Sequence, residues 1–140
     1  YSNSIFVSRG DNSGTHKSEL KLWKLSGFDK DIIKAFKYYR EVGLGMGATL
    51  NVAVQLDAYT LSDRGTWLSF NNKLNHKIIF QGDKNMFNQY GIIPINPKKC
   101  KKVKITEALK FIDWMFSDEG KTLINNFKIN GEQLFFSSKN

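Results

Sequence analysis

Cysteine is almost missing from this sequence. Cys100 stands alone among 140 residues, so no intramolecular disulfide braces the fold. Histidine is nearly as scarce: His16 and His76 lie far apart, no Cys/His group has metal-ligand spacing, and a metal cation site is not expected. No apolar run approaches the roughly 20 residues of a membrane-spanning helix. Acidic residues are in deficit, 13 against 21 Lys and Arg, for a net charge of +8. Such a balance attracts anions. The lysines are scattered apart from Lys98, Lys99, Lys101, Lys102 and Lys104, and that cluster reads as a solvated turn before a helix, so nucleic acid is not expected as a partner. Catalytic sets are also wanting. Neither histidine has an evident partner for a Ser/His/Asp or Cys/His arrangement, and the turn Gly10–Thr15 holds no Walker lysine and no carboxylate pair for phosphoryl transfer. The chain is expected to bind rather than to catalyse.

What is present is ample core material. Eleven Phe and three Trp in a 41% hydrophobic chain suffice for one globular domain. The chain opens at Tyr1 without an initiator Met or a signal peptide and reads as a fragment, so the missing signal carries no weight on location.

The organising stretch is SRGDNSGTHKSELKLW, Ser8 to Trp23. It follows the β-prone run Ile5-Phe6-Val7 and enters a helix with Leu20, Trp23 and Phe28 on one side and Lys17, Glu19, Lys21 and Lys24 polar. Strand, small-residue turn and helix start together present free N–H groups at the positive end of a helix dipole, a ready-made anion site. Arg9 adds a permanently charged fork of donors, and Ser13 and Thr15 add hydroxyls. The same residue types also serve any N-cap.

Further on, Asp31 to Glu41 reads as a second helix with Ile32, Ile33, Phe36 and Tyr39 at helical period. The glycines at 43, 45 and 47 lack a good preceding strand, which argues against a dinucleotide fingerprint. They read instead as a tight entry to a helix over Ala48–Leu56, with Thr49 near its cap. Ala58–Leu61 is a short strand, SDRG a turn, and a helix begins at about Thr66, repeating the order of the opening stretch; Ser62 and Asp63 suit a cap, and Arg64 could reach the same cleft. Lys77–Gln81 and Gly91–Asn96 are β-prone, with Pro94 restricting the latter to an edge. From Val103 an amphipathic helix carries Ala108, Phe111, Ile112 and Met115, breaks near Ser117-Asp118, and a second helix runs to about Phe127. The tail INGEQLFF ends in an apolar piece with nothing to pair with. The fold class is α/β, a central mixed sheet flanked by helices. In such sheets ligands lie beyond the carboxyl ends of the strands, where the Ser8–Thr15 and Ser62–Gly65 turns fall.

Arg-x-x-x-Ser-Gly-Thr after a strand resembles the anion loop of phosphate-, molybdate- and tungstate-type periplasmic solute-binding proteins. SRGDNSGTH, GMGATLN and YTLSDRGTW resemble the tungstate-binding subunits of bacterial ABC importers, and QYGIIPINP, FIDWMFSDEGKTLI and INGEQLFF extend the likeness over most of the chain. The resemblance implies a periplasmic-binding-protein-like (type II) lobe: residues 1–96 as the second lobe of a two-lobed protein, and 97–140 as C-terminal helices and a return toward a first lobe whose Thr/Ser ligands this chain lacks. It implies that Arg9 and Thr15 contact the anion with Ser13 and Gly14 between them, followed by Gly47, Ala48 and Thr49, then Ser62 and Arg64. It also implies an ABC permease as partner, and a periplasmic location or a lipid-anchored extracellular one in a Gram-positive host. The ligand implied is tungstate, with molybdate or phosphate as alternatives, and no cofactor. Asp11 or Asp63 could accept from a protonated phosphate. A ligand-sensing regulatory domain of the same fold is the other reading.

Overall fold

The computed structural model describes residues 3–137. The chain divides into two compact units, Tyr1–Asn88 and Gln89–Asn140.

The first unit is built on three short parallel strands in the order β2-β1-β3: β1 (Phe6–Ser8), β2 (Tyr39–Glu41) and β3 (Tyr59–Thr60). Phe6 is in register with both Tyr39 and Tyr59, and Val7 with Arg40 and Thr60. The Thr60 hydroxyl donates to the Val7 carbonyl at 2.7 Å, adding a side-chain tie across the β1–β3 seam. Between the strands lie α1 (Gly14–Leu25), α2 (Lys30–Lys34) and α3 (Met46–Gln55), and α4 (Arg64–Ser69) follows β3. Val7, Ala53 and Ala58 form the centre of the core, and α3 turns Met46, Thr49, Leu50, Ala53 and Val54 inward at helical spacing. The rings of Phe6 and Tyr39 stack at 6.0 Å, with Trp23 edge-on to Phe6 at 5.3 Å, so α1 is seated on the sheet by aromatic contact.

The expected α/β class is what the structure shows, with four differences of detail. The three-stranded sheet is wholly parallel rather than mixed. The helix expected over Asp31–Glu41 stops at Lys34. Phe36 turns onto Phe28 and Tyr39 enters the sheet, where its burial and its hydroxyl bond to Glu19 outweigh continued helix. The glycines at 43, 45 and 47 therefore do follow a strand. The helix expected at Ala48 begins at Met46 with Gly45 as its N-cap, so Thr49 lies a full turn inside it. Lys77–Gln81 and Gly91–Asn96 are in no strand; Phe80 and Ile93 are exposed, and an extended run without a partner gains nothing from its β propensity.

In the second unit, α5 (Ile105–Phe116) and α6 (Asp118–Asn126) meet at Ser117, which caps α6 by accepting from the Gly120 N–H. A Cβ at Gly120 would stand 2.3 Å from the Trp114 carbonyl oxygen, so only glycine permits this sharp junction. Ahead of the apolar end of the tail lies a hairpin of β4 (Lys128–Ile129) and β5 (Glu132–Gln133) that is not expected from the sequence. Its two-residue turn, Asn130-Gly131, has both residues at positive φ, the signature of a tight hairpin turn.

Candidate functional site

All three parallel strands run the same way, so the loops after Ser8, Glu41 and Thr60 leave from the carboxyl edge of the sheet and each feeds a helix start. With β1 central in the order 2-1-3, the switch point lies between β1 and β3.

The β1 loop is held by its own polar groups. Asp11 accepts the Ser13 N–H at 3.0 Å through Oδ1 and the Arg9 Nε at 2.7 Å through Oδ2. The Ser13 side chain, then the Arg9 guanidinium, hold the Asp11 carboxyl below the usual carboxylate range. Bonding through Nε alone leaves the terminal nitrogens of Arg9 without a partner among the described residues. Ser13 is the N-cap of α1, its Oγ accepting from the His16 N–H at 3.2 Å. Gly14 and Thr15 are the first two residues of the helix, and their amides have no intrahelical acceptor. A Cβ at Gly14 would meet nothing within 4 Å, so there is room beside the helix start.

Thr15 lines a hollow of about 60 Å³ with Ser18, Leu61, Ser62 and Asp63. Two of the expected ligands, Thr15 and Ser62, are therefore brought together from the ends of β1 and β3, at the switch point. The other residues are placed differently. Gly47 and Ala48 form the first turn of α3, which has no side-chain cap, and a Cβ at Gly47 would again meet nothing. Thr49 is wholly buried and its hydroxyl donates to the Gly45 carbonyl at 3.0 Å, occupying its one proton within the helix. Asp63, not Ser62, caps α4, accepting the Thr66 N–H and hydroxyl, both at 2.8 Å. Arg64 opens α4 and donates to Gln81 Oε1 at 2.9 Å. The β1 and β2 loops touch at Gly10, which lies at φ 65°. A Cβ there would come within 2.8 Å of the Glu41 Cβ and 3.3 Å of the Gly43 N.

Residues 2–119 match the family model described as the PBP superfamily domain. The chain belongs to the PBP superfamily. Among its relatives, the chain is 44% identical over 122 residues to the tungstate-binding protein TupA of Peptoclostridium acidaminophilum, covering 87% of itself and 41% of that protein. It superposes on the tungstate-binding protein TupA of Desulfovibrio alaskensis G20 with a TM-score of 0.80 at 43% identity, covering 96% of itself and 54% of that chain. The tungstate ABC transporter structure from Geobacter sulfurreducens gives a TM-score of 0.74 at 43% identity, over 89% of this chain and 51% of that one. The chain thus spans about two fifths of that curated relative and about half of those solved structures.

Beneath the loop of this PBP-superfamily chain lies a polar cluster that sequence reasoning missed. Glu19, expected on a polar face, is 3% exposed. Its carboxylate accepts from the Ser8 hydroxyl at 2.7 Å, the Tyr39 hydroxyl at 2.7 Å and the Trp23 Nε1 at 3.2 Å. Ser8 Oγ in turn accepts the Gly10 N–H at 3.2 Å and lies 3.2 Å from His16 Nδ1. Because the one Ser8 proton goes to Glu19, His16 Nδ1 is the donor to Ser8. Burial, reinforced by the bond to Glu19, pushes the Tyr39 phenol above its ordinary value. A Ser/His/Glu set is therefore present where none was legible, but its proton order is wrong for an activated nucleophile. The serine gives its proton to the carboxylate instead of to the imidazole, and it is fully buried. The signal that pointed to it was the spacing Ser8, His16, Glu19, a strand end followed by one helix side.

Proposed function

We propose that the chain is part of the substrate-binding component of an ABC importer, capturing tungstate between two lobes and delivering it to the permease. In this reading residues 1–96 belong to the second lobe and 97–140 to C-terminal helices returning toward the first. The protein works in the periplasm, or lipid-anchored outside a Gram-positive cell. The observation that carries the proposal is the pairing of Thr15 and Ser62 on one hollow at the β1/β3 switch point, at the helix start whose Gly14 and Thr15 amides have no intrahelical acceptor. These are donors only toward a fully ionised oxyanion, and the positive end of α1 favours its charge. Arg9 supplies charge-assisted hydrogen bonds from its unpartnered terminal nitrogens. The chemistry is capture, not turnover. The likeness to proteins named for tungstate binding supports tungstate over the other tetrahedral anions.

Isothermal titration of the full-length protein with tungstate, molybdate, sulfate and phosphate tests the reading. Saturable binding with tungstate ahead of phosphate is expected. Binding of none of the four, or of phosphate first, would overturn it.

A further inference from the structure

A second hollow, of about 350 Å³, lies on the other flank of α1. At 100° per residue, Thr15, Ser18 and Leu22 line the switch-point hollow from one side of the helix, while His16, Lys17 and Leu20 line the second from the opposite side. Its remaining wall comes from the β1 loop (Asp11, Asn12), from α2 (Lys30, Lys34) and from Glu41 at the end of β2. The volume falls at the lower end of the range for small organic ligands.

The charges are unevenly spent. Glu41 is taken by Lys34 at 2.8 Å and Asp11 by Arg9 at 2.7 Å. Lys17 and Lys30 have no carboxylate partner among the described residues, so the lining carries two uncompensated ammonium groups. The third feature is His16, only 5% exposed. Its Nδ1 is committed to Ser8, with Glu19 Oε2 at 3.8 Å behind it. Its Nε2 has no hydrogen-bond partner, yet no buried side-chain nitrogen among the described residues lacks one. Nε2 is therefore open to solvent, and the hollow its ring lines is where it opens. With the proton on Nδ1, Nε2 is an acceptor. Two ammonium donors and one imidazole acceptor on the same lining suit a ligand with two carboxylates and a hydroxyl, with Leu20 as the apolar part of the wall.

We propose that this hollow binds a small hydroxydicarboxylate, held by Lys17 and Lys30 through its carboxylates and by His16 Nε2 through its hydroxyl. The proposal does not rest on the tungstate reading, because Lys17, Lys30 and His16 are none of the residues assigned to that anion.

The test is an amide and imidazole NMR titration of the full-length protein with malate, repeated with succinate and in saturating tungstate. Malate should give saturable shifts at Asn12, Lys17, Lys30 and the His16 ring, unaffected by tungstate. Lys17→Gln and Lys30→Gln, both at exposed positions, should each weaken malate about tenfold, and succinate, lacking the hydroxyl, should bind more weakly than malate. The proposal is overturned by shifts that do not saturate, by competition from tungstate, by full affinity in both lysine variants, or by succinate binding as well as malate.

Discussion

The Ser8 hydroxyl donates to the Glu19 carboxylate at 2.7 Å, and the same Ser8 oxygen accepts the Gly10 N–H at 3.2 Å. One buried contact therefore joins the last residue of β1, the second turn of α1 and the loop that carries Arg9. Glu19→Ala would leave the Ser8, Tyr39 and Trp23 donors without their acceptor and, at about 1–3 kcal/mol for each donor left buried and unsatisfied, is expected to be strongly destabilising in a denaturant unfolding series. Ser8→Ala removes three bonds, to Glu19, Gly10 and His16, and costs about 1–3 kcal/mol. The double variant should cost less than the sum, since the two residues share a network. Strict additivity would show that the cluster is not coupled.

Gly10 and Gly14 make opposite predictions. Gly10→Ala forces a side chain into positive φ and against the Glu41 Cβ, and should destabilise by about 1–3 kcal/mol. Gly14→Ala adds a methyl in open space within a helix, where alanine is favoured by about 0.5–1 kcal/mol over glycine. Its thermal midpoint should hold or rise while its tungstate affinity falls. A Gly14→Ala protein with unchanged affinity would place the anion away from the α1 amides.

Asp11 sets a pH dependence. Its folded carboxyl titrates below the ordinary aspartate value, mainly because of Ser13 and then Arg9. Its contribution to the loop is thus present above the unfolded pKa and is lost as pH falls through the lower folded one. Carbon-detected NMR titration should show Asp11 titrating below the ordinary aspartate value. Ser13→Ala should move it back up, and failure to do so would remove Ser13 as the chief cause.

Much of this fold can be read from residue pattern alone, and the exceptions share a cause. The α5–α6 break at Ser117 and the strand–turn–helix at Ser8–Thr15 were legible because caps and amphipathic period act locally. Tyr39–Glu41 reads as helix because Phe36 and Tyr39 keep helical spacing, while the forces that place Tyr39 in the sheet come from Phe6 and Glu19, more than 15 residues away. Glu19 reads as polar surface and His16 as partnerless for the same reason: their partners arrive only when β1, α1 and β2 assemble. Thr15 and Ser62 could each be picked from its own turn, but that they share one hollow follows from the parallel pairing of β1 with β3.

Arg9 and the start of α1 are proposed to hold the oxyanion, and the decisive experiment titrates tungstate into the full-length protein beside its Arg9→Ala and Thr15→Ala variants, with unfolding curves as controls. Loss of one charge-assisted hydrogen bond, about 1.5–3 kcal/mol, predicts at least about tenfold weaker binding by a folded Arg9→Ala, and a smaller loss for Thr15→Ala. Two folded variants that bind tungstate as tightly as the parent would contradict the account and leave the Ser8–Thr15 turn as an ordinary helix cap.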